Sequence, residues 1–157
     1  MSQRPLLHIT IVTAQHTVFD GEAEMVIAPG SEGQLGILPR HAPLLTTLAL
    51  GELRVRLHGV DEGIFVAGGF LEVNANVVTV LADDAERGTL IDEAQAQAAR
   101  DRAQATLASG TAGSEVEIAA AAELQRAIGR LRVAELQRAR GGRRHRTPQP
   151  GQGQQEL

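Results

Sequence analysis

At 157 residues with a formal charge of −4, the chain is sized for one domain or two small ones, and its 43 % hydrophobic content supports a packed core. It has no cysteine, and all 15 of its basic residues are arginine. Disulfides, thiolate metal sites, cysteine nucleophiles, Schiff-base lysines and P-loop phosphate binding are therefore excluded. No apolar run approaches the ~18 residues that a membrane span needs, and the N-terminus carries no apolar signal core, which argues against export. Three Phe without Trp or Tyr make no base-stacking platform.

In chain order, Leu6 to Thr13 alternates, with Leu7, Ile9 and Ile11 on one face, and predicts a strand. Leu53, Val55 and Leu57 alternate with Arg54, Arg56 and His58, a half-buried strand. Asp61-Glu62-Gly63 offers turn chemistry, and Ile64 to Ala67 reads as the hairpin partner. Gly68-Gly69 predicts a turn or bulge. Phe70, Leu71 and Val73 lead to a turn at Asn74-Ala75-Asn76, and Val77 to Ala82 closes the series. Strands this short at this spacing predict an antiparallel β-sandwich or barrel over residues 1–88.

Near Gly88 the composition changes from β-branched residues to alanine. Thr89-Leu90-Ile91-Asp92 predicts a capping box with Thr89 as N-cap, and Ser109-Gly110 ends the helix. Ser114-Glu115-Val116-Glu117 predicts a second box, and Leu124, Ile128 and Leu131 form one apolar face of the helix that follows. Gly129 inside that helix costs about 1 kcal/mol relative to alanine. The expectation is α+β in two parts: the sandwich, an antiparallel two-helix hairpin over 89–140, and a disordered Arg/Pro/Gln-rich tail over 141–157. Alanine forms helix well but buries little surface, so the hairpin should persist as helix and dock weakly, as a movable element does.

Charge follows the same division. Residues 1–88 hold 5 Arg against 11 acids, whereas 126–146 hold 8 Arg and one acid. Arg126, Arg130, Arg132, Arg138 and Arg140 lie on the second helix, with Arg143, Arg144 and Arg146 beyond. They read either as a solvated face that also complements the helix dipole, or as a docking surface for an acidic protein or polyanion. The loop Gly30-Ser31-Glu32-Gly33-Gln34-Leu35-Gly36 is not G-x-G-x-x-G, because its glycines fall at i, i+3 and i+6, and not a nucleophile elbow, because Pro29 stands where that motif has its first glycine. It reads as a strand connection or a partner-binding loop. Ser31 and His41 lack the elbow and oxyanion signature of a triad, and the five histidines never take metal-ligand spacing.

The run from Gly30 to Gly36, continuing through Ile37-Leu38-Pro39-Arg40-His41-Ala42-Pro43-Leu44-Leu45-Thr46, resembles the GSEGxLGI…P.HAPLLT stretch of the epsilon subunits of F-type ATP synthases. Gly68 to Val73 is similar to their GGxLEV, Val78 to Asp83 to their VTVLAD, and Leu131 to Leu136 to their LRVxEL. The resemblance covers about 1–140, and four ordered motifs carry it. It implies a ten-stranded sandwich followed by a helical hairpin, placed on the rotor stalk against the gamma subunit and the c-subunit ring. It implies no catalysis, and a peripheral place on the cytoplasmic side of the inner membrane.

Within that resemblance, Gly30, Ser31, Glu32, Gly33, Gln34, Leu35 and Gly36, with Arg40, His41, Ala42 and Pro43, match the part that faces the c-ring. Gln34 stands where relatives often carry an acid. The hairpin would inhibit ATP hydrolysis when extended, with Arg126, Arg130 and Arg132 meeting an acidic loop of the beta subunits. Some relatives bind ATP on the folded hairpin through an I/L-D-x-x-R-A motif. Here Ile91, Asp92 and Ala96 keep the pattern, with Arg102, Arg126 and Arg130 as phosphate partners, but Gln95 replaces the motif arginine. Losing a charge-assisted contact to phosphate costs about 1.5–3 kcal/mol, so the site is expected to bind ATP weakly or not at all, and no cofactor is expected. The competing classes are a stand-alone nucleotide sensor and a nucleic-acid adaptor using 126–146, of which the latter would show steep salt dependence.

Overall fold

The computed structural model describes residues 4–110 and 113–143. Eight strands come first: β1 Leu7–Val12, β2 Thr17–Ala23, β3 Met25–Gly30, β4 Gly33–Ile37, β5 Leu44–Thr47, β6 Gly51–Leu57, β7 Val60–Asn74 and β8 Val77–Arg87. A 3-10 turn, Gly88–Leu90, leads to α1 Glu93–Ser109 and α2 Glu115–Arg143. The last helix therefore reaches past residue 140, while the expected tail from 144 onward lies outside the described residues.

The sheet runs β2-β1-β8-β7-β6-β3-β4, with β5 also on β7. One strand makes this a two-layered fold. Over Val60–Val66, β7 pairs with β6, and over Phe70–Val73 it pairs with β5, while β8 follows it on the other edge from Ile64 to Asn74. The partner changes at Gly68 and Gly69, whose φ values are 71° and 105°. Gly69 has no room for a Cβ, which would run into the Leu81 carbonyl oxygen. The expected turn or bulge is thus a bend inside a continuous strand, with the β7–β8 register unbroken across it. Because β7 and β8 each run through as single strands, the described residues hold eight strands instead of the implied ten.

The core fills from the alternating positions. Leu7, Ile9 and Ile11 of β1 are fully buried, as are Leu53, Ile64, Val66, Leu71, Val78 and Val80. The antiparallel expectation fails at one pair, since β1 runs parallel to β8, with His8 beside Val77. These strands are far apart in sequence, so no tight turn constrains their direction. The expected turn at Asp61-Glu62-Gly63 is also displaced. His58 and Gly59, both at positive φ, make the two-residue turn, and residues 61–63 belong to β7. A two-residue turn with positive φ at both central positions has the backbone twist that matches the right-handed twist of the strands. Ala75 and Asn76 make the other such turn, at the place the sequence predicts.

The displaced turn sets Asp61 directly opposite Arg56. Arg56 Nε and Nη2 donate to the two carboxylate oxygens at 2.6 and 3.0 Å. This bond, with the nearby charges of Arg56, Arg54 and Arg140, holds the Asp61 carboxyl below its ordinary 3.8 against the upward push of burial.

The helices differ from expectation at their starts and faces. Asp92, not Thr89, is the N-cap of α1, and its side chain accepts from Gln95 N at 3.0 Å. The Thr89 segment is consumed by the 3-10 turn. Ser114 caps α2 by accepting from Glu117 N, but Glu117 reaches back to Gly113 N rather than to Ser114 N. On α2 the predicted stripe is only partly packed: Leu124 and Leu131 are half-buried and Ile128 is 42 % exposed, while Ala120, Ala127, Val133 and Ala134 are buried. Small residues let the helices approach, and Val116, Ile118 and Ile128 are left toward solvent.

Two outcomes follow. Gly69→Ala combines a disfavoured φ with a clash against backbone, and should cost roughly 3 kcal/mol and lower the melting temperature by about 6–12 °C. A depressed carboxyl contributes fully above its ordinary 3.8 and loses the contribution as pH falls through the lower folded value. Asp61→Asn should therefore melt below the parent at neutral pH, with the gap closing in melts taken below about pH 3.8. A gap that ignored pH would assign the effect to shape.

Candidate functional site

The hairpin lies on one face of β6, β7 and β8. Five consecutive β7 residues, Gly63 to Ala67, are buried. Ile64 and Val66 face the main core, whereas Phe65 and Ala67 form a second apolar cluster with Val133, against which Ile91 packs. Register supplies the polar frame. Phe65 is flanked by Glu52 on β6 and Glu86 on β8, and Ala67 stands opposite Asp84. Three carboxylates thus share the face that α2 covers.

α2 meets that frame with residues one helical face apart. Arg130 donates through Nε to Glu86 at 3.1 Å and through Nη2 to Asp84 at 2.5 Å, with its guanidinium 4.7 Å from the Phe65 ring centroid. Arg140 donates to both oxygens of Glu52 at 3.0 and 2.5 Å. Gln137 Oε1 accepts from Gly63 N at 2.8 Å. Gly129 sits where α2 comes closest; a Cβ there would lie 2.8 Å from Phe65 Cε2 and 2.9 Å from Leu50 Cδ2. That close approach is the reason for a residue that otherwise weakens a helix. The Arg130 pairs are about a quarter to a third exposed, so each is worth at most about 1 kcal/mol rather than the several of a fully desolvated pair. The seam is held by a few such bonds and little apolar area.

Between α1 and α2 lies a cavity of about 310 Å³ lined by Glu86, Asp92, Gln95, Ala96, Ala99, Arg102, Glu123, Arg126, Ala127 and Arg130. The structure therefore gathers six positions singled out from the sequence: Asp92, Gln95, Ala96, Arg102, Arg126 and Arg130. Ile91 is not among them; it packs toward Phe65. Glu86 and Glu123 were missed, because neither belongs to a local motif. Both bring negative charge to the cavity, and Glu123 lies 3.7 Å from Arg102. Arg132 is exposed and lines neither seam nor cavity.

The Gly30–Gly36 segment is a β-hairpin, β3–β4, with Ser31 and Glu32 at its tip. Ser31 is tied to β5 by its N–H to the Thr47 carbonyl at 3.1 Å and by a 2.6 Å hydroxyl contact with Thr47. Glu32, Gly33, Gln34 and Gly36 are exposed, and Leu35 is half-buried. At the other end of β5, the 40–43 segment is anchored by Arg40 N donating to Asn76 Oδ1 at 2.6 Å. His41 Nδ1 contacts the Ala42 carbonyl at 2.7 Å, so Ser31 and His41 serve different partners. Leu45, Phe70 and Leu81 lie on the outer surface here, each more than half exposed. Among the described residues no group of three or more His, Asp or Glu is placed to hold a metal, and no helix is long and apolar enough to cross a membrane.

Comparison with known proteins bears on all of this. Residues 6–88 match the family model described as ATP synthase, Delta/Epsilon chain, beta-sandwich domain, and residues 91–135 match the long alpha-helix domain of the same chain. An ATP synthase epsilon chain from Acidithiobacillus ferridurans is 50 % identical over 137 residues, covering 86 % of this chain and 95 % of that protein. One from Legionella pneumophila (strain Corby) is 47 % identical over 133 residues, covering 83 % and 94 %. In fold, the chain is similar to one in the Euglena gracilis mitochondrial ATP synthase OSCP/F1/c-ring assembly, with a TM-score of 0.69 at 23 % identity, covering 86 % of this chain and 84 % of that one. With both parts matched in order by one family's models and half of 137 aligned residues identical to an ATP synthase epsilon chain, the chain belongs to the ATP synthase delta/epsilon family, on its epsilon side.

Proposed function

We infer that this chain is a non-catalytic element of the ATP synthase central stalk. It would couple c-ring rotation to the catalytic head and restrain ATP hydrolysis through its helical hairpin. Its partners are the gamma subunit, the c-ring and the beta subunits, and it reaches the cytoplasmic face of the inner membrane only through that complex. The observation that carries the inhibitory part is the seam: an alanine-faced hairpin held on the sandwich by Arg130, Gln137 and Arg140 over one small apolar cluster. An interface so slight can open without unfolding either part.

The hairpin tip at 30–36 and the segment at 40–43 are the surfaces assigned to the c-ring. Both are exposed and both are braced against rigid elements, which suits transmission of torque. Arg126, Arg130 and Arg132 are assigned to an acidic surface on the beta subunits, through charge-assisted bonds. In the docked form Arg126 and Arg132 are exposed, while Arg130 is engaged.

ATP binding in the cavity is the second reading, favoured by the convergence of Arg102, Arg126 and Arg130. Gln95 opposes it, as do Glu86 and Glu123, whose charge repels phosphate. A free-standing sensor and a nucleic-acid adaptor both leave the braced 30–46 region without a purpose.

Two experiments test this. Hydrolysis by the cognate catalytic head should fall with the full chain and not with a chain ending at Gly88 that still binds; equal effects of the two would remove the hairpin from inhibition. In equilibrium titration the parent should show no micromolar ATP binding, and Gln95→Arg should tighten binding roughly 10- to 150-fold, the equivalent of one charge-assisted bond. Micromolar binding by the parent would restore the sensor reading.

A further inference from the structure

We propose that Asp84 and Glu86 are positioning residues that hold the hairpin docked by occupying Arg130, acting as an internal stand-in for the acidic partner surface assigned above. The proposal rests on that reading for its consequence, but its structural half stands on the seam alone.

The geometry is specific. Asp84 and Glu86 are two residues apart on β8, so both project from the same face, and register sets them opposite Ala67 and Phe65. Arg130 spends Nε on one and Nη2 on the other. A guanidinium whose edge is taken by two carboxylates cannot offer that edge to a third. The Phe65 ring beneath it shields one face of the cation. Docking and engagement of an external carboxylate through that edge of Arg130 are therefore mutually exclusive, and the two equilibria are linked. Arg126 and Arg132 carry no such restriction, because both are exposed while the hairpin is docked.

This arrangement predicts an unusual sign. Neutralising acids on the sandwich, on residues that never leave it, should make the hairpin a better inhibitor. Replacing Asp84→Asn with Glu86→Gln keeps the shape and removes two pairs of modest strength. The docked-to-undocked ratio should then fall roughly tenfold. Raising ionic strength should shift the parent in the same direction and the variant less, because screening acts on the pairs the variant lacks.

The chain has no cysteine, so spin labels at Gln15→Cys on the β1–β2 turn and Gln125→Cys on α2, both exposed positions, report docking in the full chain without background. The expected result is a docked distance population that drops in the Asp84→Asn/Glu86→Gln chain and holds in an exposed-acid control, Glu22→Gln. An unchanged population, or an equal drop in the control, overturns the proposal. The same chains are then added to the cognate head. Stronger inhibition by the double variant than by the parent supports the competition, while equal inhibition despite looser docking overturns it. If neither chain slows hydrolysis, the inhibitory reading of the hairpin fails, and the distance populations still decide whether the two acids hold it.

Discussion

Phe65 is the residue around which the two halves of the molecule are organised. It sits on a strand whose neighbours fill the sandwich core, yet its own ring points the other way and is fully buried only because α2 covers it. Everything about the seam follows from covering one aromatic ring with an alanine-rich helix. The helix must come close, so the position above the ring is Gly129. The ring edge is flanked by carboxylates, so the helix supplies arginines. The apolar area is small, so directional bonds decide whether the helix stays.

That balance distinguishes the seam from the sandwich. The sandwich core is continuous, built from β-branched and leucine side chains with no buried charge among the described residues. Its cohesion is mainly hydrophobic. The hairpin is held by ion pairs that are part-exposed and therefore tunable by screening, by competing carboxylates and by neutral substitutions. A rigid platform carrying an element with ionic attachment is a physical basis for a switch, and the division of chemistry between the halves is visible in their opposite charge.

Much of the sandwich was legible in the sequence. Alternation in Leu7–Ile11 and Leu53–Val55 placed core faces correctly, because a period of two has one consistent reading when one face is buried. Turns were less secure: Asp61-Glu62-Gly63 looked like the turn, but His58-Gly59 takes it, both at positive φ, which sets Asp61 opposite Arg56. The uninterrupted apolar run from Ile64 to Ala67 was the available sign that both faces of β7 are covered there, and the i, i+2 acids Asp84 and Glu86 beside it were the sign of a basic partner. The α2 face was misread because periodicity ranks large apolar residues first, whereas helix–helix contact here selects alanine.

The sequence by itself determined the two-part architecture, the helical character of the alanine-rich half, the family and the cation-rich end, because these depend on local propensity, periodicity and ordered motifs. Only the tertiary structure decided which cations are exposed and which are engaged among the described residues. Arg126, Arg130 and Arg132 are equivalent as letters. They diverge because strand register, fixed across residues far apart in the chain, sets Glu86 beside Phe65 and Asp84 beside Ala67, under Arg130 alone.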